Sequence, residues 1–139
     1  MYKQIVDNLR ARLAAYDELA AQLDDVLLHE KLDVPRNKSL AEHLWCVVGA
    51  RESYARALDE GAWVGFGCSL TQFAAEDFRT KLAESGSALM QSIDSVEEWD
   101  GARSTLLAKL AEHEVMHEGQ IIRHMYALER ELPESWAWA

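Results

Sequence analysis

His113 and His117 stand four residues apart, with Glu114 directly after the first, in a stretch (EHEVMHEGQIIRHM) that holds three of the chain's five histidines. At that spacing two imidazoles project from the same side of a helix and can reach one metal ion. On a helical wheel they share a stripe with Leu106, Leu110, Ile121 and Leu128, which turns both rings toward the apolar side. Two readings are open. The plain one is a pair of core histidines, each hydrogen-bonded to a neighbouring helix. The chemical one is a metal centre, since one ion satisfies two buried imidazoles at once. His124 lies on the same side but about 10 Å beyond His117 along the axis, and cannot share an ion with both. The pentapeptide HEVMH also matches the HExxH of zinc proteases, with Glu114 as the base. That match is weak: Glu114 falls about 100° off the histidine stripe, and no strand pattern is present to align a peptide. An exposed or inter-helix glutamate is the simpler role.

A third ligand has to come from another helix, and SLAEHLWCVVGARESY offers His43 and Cys46. Periodicity centres His43 on the stripe of Leu40, Leu44, Val47 and Tyr54. It sets Cys46 on a flank of small residues, Ala50 and Ser53. By periodicity alone His43 is favoured.

The elements that position these groups are helical throughout. From Tyr2 to about Lys31, apolar residues recur at helical spacing, until the proline of DVPRNKS interrupts them. Ser39 with Glu42 three residues on reads as a capping box, opening a second helix that runs to about Asp59. EGAWVGFGCSL, residues 60–70, has the glycines and aromatics of a loop. A third helix is expected from Thr71 to about Ile93. Ser104 is a candidate cap for the last, which reaches about Glu131 before Pro133 stops it. No strand pattern or repeat appears. The expected fold is all-α: a single domain over residues 1–139, an up-down four-helix bundle whose cofactor sites lie between facing helices.

Composition sets the partners. With 139 residues, 49% of them hydrophobic, the chain can bury a core without staples. A net charge of −10 argues against nucleic acid, whose phosphates need Lys and Arg. No run is long and apolar enough for a membrane span, and MYKQIVDNLR lacks the apolar stretch of a secretory leader. Two cysteines, Cys46 and Cys68, do not make a disulfide scaffold. A reducing, cytoplasmic compartment is expected. Cys68 reads as a small core residue, or as one that approaches Cys46 to compete as ligand or disulfide partner. Trp63 and Phe66 either wall a pocket mouth or cap the bundle end. Trp136 and Trp138 form an apolar tail for this bundle or a second subunit.

The stretch HEVMHEGQIIRHMYALERELPESW resembles the last helix of the DinB-like metal-binding bundles, with their His-x-x-x-His-(Arg)-Gly-Gln pattern. Related to these are thiol-dependent isomerases and transferases that use mycothiol or bacillithiol. The resemblance covers nearly the whole chain. Its second part is a Ser-Leu helix start followed seven residues later by the family's first histidine, a position that Cys46 occupies here. Glu118 stands where arginine is usual. The resemblance therefore implies Cys46, His113 and His117 as ligands of a divalent ion, zinc or nickel, with open positions. A Cys/His/His set suits either metal; the alternative is a degenerate site. It further implies a homodimer that acts on a small molecule, as a thiol transferase with a low-molecular-weight thiol as co-substrate, or as a hydrolase. The contrasting expectation is a non-catalytic dimeric bundle, stress-related or binding, whose histidines belong to the core.

Overall fold

The computed structural model describes residues 2–137. Its elements are α1 (Tyr2–Ala21), α2 (Asp25–His29), α3 (Leu40–Glu60), α4 (Ala75–Asp94), α5 (Gly101–Ala127) and a 3-10 turn over Glu134–Trp136. The described residues contain no strand, and the architecture is compatible with a helical bundle. α3 packs on α4 and α5, and α1 lies against the same two helices. No helix among the described residues is long and apolar enough to cross a membrane.

Several helix limits differ from those read in the sequence, each for a local reason. The first expected helix is two. Asp24 leaves the helical region (φ −128°, ψ 167°) and its carboxylate accepts from Leu27 N at 2.7 Å, so a new helix starts at Asp25. The apolar rhythm continues across the break because Leu23, Leu27 and Leu28 stay buried. That continuity concealed it. α4 begins at Ala75 rather than Thr71, where Asp77 accepts from Ala74 N and Asp25 of α2 accepts from Ala75 N. α5 is capped by Asp100, not Ser104: Asp100 Oδ1 accepts from Arg103 N at 2.8 Å. It ends at Ala127 instead of near Glu131. Glu129 takes a left-handed conformation (φ 54°), and Arg130 N returns to Met125 O at 2.9 Å, a Schellman closure made without glycine. Trp136 docks on its own bundle, its Nε1 donating to Ala15 O at 2.8 Å beside Tyr16. Trp138 lies outside the described residues.

The core has two apolar sections. One gathers Tyr16, Leu19, Leu44, Val48, Phe78, Ile121 and Trp136. The other gathers Leu9, Leu13, Leu58, Leu89, Leu106 and Leu110. Between them lies a polar layer centred on Arg51 and Glu114, whose side chains have no exposed surface. Removing two charges from water costs several kcal/mol per ion, offset only when the hydrogen-bond set is complete. Here Arg51 Nε and Nη2 donate to the two Glu114 oxygens at 2.8 and 2.9 Å. Its Nη1 donates to Leu82 O at 3.3 Å, and its guanidinium lies 4.8 Å from the Tyr16 ring centroid. Tyr16 in turn donates its hydroxyl to Glu114 O at 3.2 Å. Arg51→Met leaves Glu114 buried without its cation and is expected to destabilise the fold by about 3–5 kcal/mol. The double variant Arg51→Met/Glu114→Leu should recover most of that loss. A urea-denaturation double-mutant cycle measures both, and an additive cycle would show that the pair does not act as a unit.

Candidate metal centre

Two local devices set the phase of the helices that carry the site. α3 starts at the capping box expected from its sequence. Glu42 N donates to Ser39 Oγ at 3.2 Å and Ser39 N donates to Glu42 Oε2 at 2.7 Å. α5 is held in rotation by the Arg51–Glu114 pair, which turns His113 and His117 toward α3. Antiparallel packing then sets residue 46 near residue 113 and residue 43 near residue 117.

Both candidates for the third position reach the histidine pair. Cys46, His113 and His117 each offer a ligand atom within 4.8 Å of the others and could hold a metal ion. Cys46 Sγ is 3.5 Å from His113 Nε2, and the His113 and His117 ring centroids are 4.6 Å apart. An ion bound at about 2.1 Å to nitrogen and about 2.3 Å to sulfur needs donors roughly 3.5 Å apart, which the Cys46–His113 contact already meets. His43 approaches from the other side, its Nδ1 3.2 Å from His117 Nδ1, with the rings nearly edge to face.

That contact bears on which nitrogen is available. Of two facing Nδ1 atoms, one must carry the proton. If His117 donates and His43 accepts, His117 Nε2 is left with a bare lone pair. If the roles reverse, Nε2 carries the proton and cannot ligate. His117 Nε2 is buried and has no hydrogen-bond partner among the described residues, and the same holds for His113 Nδ1. A metal on Nε2 selects the first arrangement, with His43 acting as the outer partner that orients a ligating imidazole.

The electrostatics keep the cluster neutral. Burial, reinforced by His113 and His43, lowers His117 to about 3. Burial also pushes His113 and His43 below the ordinary histidine value and raises the Cys46 thiol. Neutral imidazole is the ligating form, whereas the thiol must lose its proton, so binding releases a proton from Cys46. A cavity of about 520 Å³ opens beside Cys46, walled by Trp45 and Phe73 and carrying Lys31, Lys38 and His29.

The other sequence candidates fall elsewhere. Phe66 sits behind Trp45, ring centroids 5.4 Å apart, over Gly49, where any added Cβ would overlap its ring. Trp63 packs on Tyr54, two turns of α3 beyond Cys46. The loop between them is pinned: Gly67 N and O both bond Ser53 Oγ, and Ser69 bonds Glu52. Cys68 is half-buried with its thiol on Trp45 O, and both cysteines are free. Glu114, bound through both oxygens to Arg51, has none left to serve as a base. Glu118 is buried against Arg12 of α1. Unforeseen were Arg51 and Lys38. Arg51 had a signal, a cation in register with Leu44, Val47 and Leu58 on the apolar side of α3.

Comparison with protein-family models, with curated proteins and with solved structures gave no match to this chain.

The depressed His117 value has a consequence for stability. Between its unfolded value of 6.5 and about 3, the unfolded chain takes up a proton that the folded chain refuses. The contribution is therefore present above 6.5 and is lost as pH falls through about 3. Urea titrations of metal-free protein across this window should show stability falling on acidification. His117→Asn should fall less steeply, and equal slopes would mean that His117 is not the group held neutral.

Proposed function

We propose that this protein is a metal-dependent enzyme of the DinB-like kind, holding zinc or nickel on Cys46, His113 and His117 and acting on a small molecule. Thiol S-transfer is the favoured reaction and hydrolysis the next. The observation that carries this is the convergence of the three donor groups within 4.8 Å, one of which, Cys46, also lines an open cavity. It is supported by His117 Nε2, a buried ring nitrogen without a partner among the described residues. A divalent ion in such a place lowers the pKa of a thiol or water that reaches it. The chain's own groups do the rest. His43 orients His117, Trp45 and Phe73 provide apolar walls, and Lys38 places positive charge where an anion would develop, Lys31 being paired with Glu42. The long helices depart from the simple up-down order expected of the sequence, since α3 and α5 run antiparallel where strict alternation would make them parallel. In this proposal the 60–70 loop braces α3, and the protein works as a cytoplasmic homodimer.

A second reading has its own support. His43 with His117, and Cys46 with His113, already contact each other at 3.2 and 3.5 Å. Such pairs satisfy part of the cluster without a metal, as core histidines of a non-catalytic bundle would. Metal analysis of protein purified without an affinity tag separates the two. The enzyme reading expects near-stoichiometric zinc or nickel and a melting temperature that chelator lowers. Binding to the folded chain alone is worth about 2.7 kcal/mol at a hundredfold excess over Kd. His117→Ala should be insensitive to chelator, and His124→Ala should respond like the native protein. Absence of metal, with a melting curve unmoved by chelation, would establish the second reading.

A further inference from the structure

The cleft between the segment 32–38 and α5 is chemically unlike the rest of this acidic molecule. The chain has 24 Asp and Glu against 14 Lys and Arg. Yet the cavity there, about 630 Å³, is lined by Arg36, Lys38 and Arg123 with no carboxylate in its wall. Most other cations lean on an acid, as Arg10 does on Asp94, Arg79 on Glu76 and Arg130 on Glu30. Among the described residues these three have no acid within ion-pair distance. They converge from both walls: Arg36 and Lys38 from the segment, Arg123 from α5. Arg36 is set there by a left-handed backbone (φ 61°), a conformation that residues other than glycine seldom adopt.

The floor supplies the second observation. His124 is only 2% exposed and lines this cavity. Glu30 approaches its ring, yet among the described residues neither ring nitrogen has a partner at hydrogen-bonding geometry. Such an orphaned imidazole calls for a polar occupant. Gln120 and Asn37 add amide groups to the same wall.

From these features we propose that the cleft binds a small multivalent oxyanion, a compound with two or more carboxylate or phosphate groups. A single carboxylate would leave two of the three cations unanswered. The volume suits a small molecule, for which pockets of about 300–1,000 Å³ are usual. A long polyanion is opposed by the net charge of −10 outside the cleft. Arginine forks match carboxylate and phosphate oxygens equally well, so both sources share this chemistry. The site stands whether or not Cys46, His113 and His117 hold a metal.

The test is calorimetric titration of the full chain, freed of metal by chelator and desalted, with inorganic phosphate, succinate and acetate. Removing the metal keeps this outcome separate from that of the metal-centre proposal. Phosphate or succinate should bind, with acetate at least about tenfold weaker. Whichever of the two binds more tightly identifies the oxyanion. Arg123→Glu and Lys38→Glu, both at exposed positions, should weaken binding about tenfold or more. Lys109→Glu, on the same helix about 21 Å away, should leave it unchanged. Circular dichroism confirms that each variant is folded. Three results would each overturn the proposal: no saturable binding below about 10 mM, acetate binding as tightly as the dianions, or Lys109→Glu weakening binding as much as Arg123→Glu.

Discussion

Arg51 engages all four long helices. It extends from α3, grips Glu114 of α5 with two nitrogens, caps the Leu82 carbonyl of α4 with the third, and covers the Tyr16 ring of α1. An aliphatic residue in its place could slide by a turn at little cost, because one leucine surface resembles the next. A guanidinium fork cannot, since every mispairing strands a charge in a medium that cannot solvate it. The pair thus selects one rotation and one axial setting of α5 against α3. Glu114 adjoins His113 in sequence, so the choice passes directly to the histidines.

At the cluster, two ways of satisfying the same nitrogens compete. The chain offers His43 to His117 and Cys46 to His113. These contacts use one ring nitrogen of each histidine and, among the described residues, leave His117 Nε2 and His113 Nδ1 without a partner. Burial keeps the rings neutral, which removes the charge repulsion that would otherwise oppose a cation. The same neutrality makes the metal-free cluster tolerable.

The helices were largely legible in the sequence because their apolar spacing is strong and the Ser39–Glu42 box is a local signal. The breaks were less so. At Asp24 a capping carboxylate overrides a hydrophobic rhythm that runs on without interruption. At Glu129 a left-handed turn is made by a residue that gives no notice of it. For the site, the four-residue spacing put His113 and His117 together. In the sequence His43 and Cys46 stand as alternatives, whereas the structure places each against a different histidine. A wheel gives direction around an axis but not depth along it, and depth separates the two. Lys38 and Arg36 gave no signal, since a loop cation reads as solvated until the fold shows what it overlooks.

Trp136 sets a condition on the order in which the molecule can be completed. Its indole bonds the Ala15 carbonyl across 121 residues of sequence and packs edge-on against Tyr16. As the chain folds, α1, α3, α4 and the Arg51 layer can meet before this contact exists, because none of them requires the last turn. The Tyr16 ring, which flanks the buried guanidinium, therefore stays open to water on one side until Trp136 docks. The last turn of the chain thus completes the aromatic wall that stands beside the molecule's most costly buried charges.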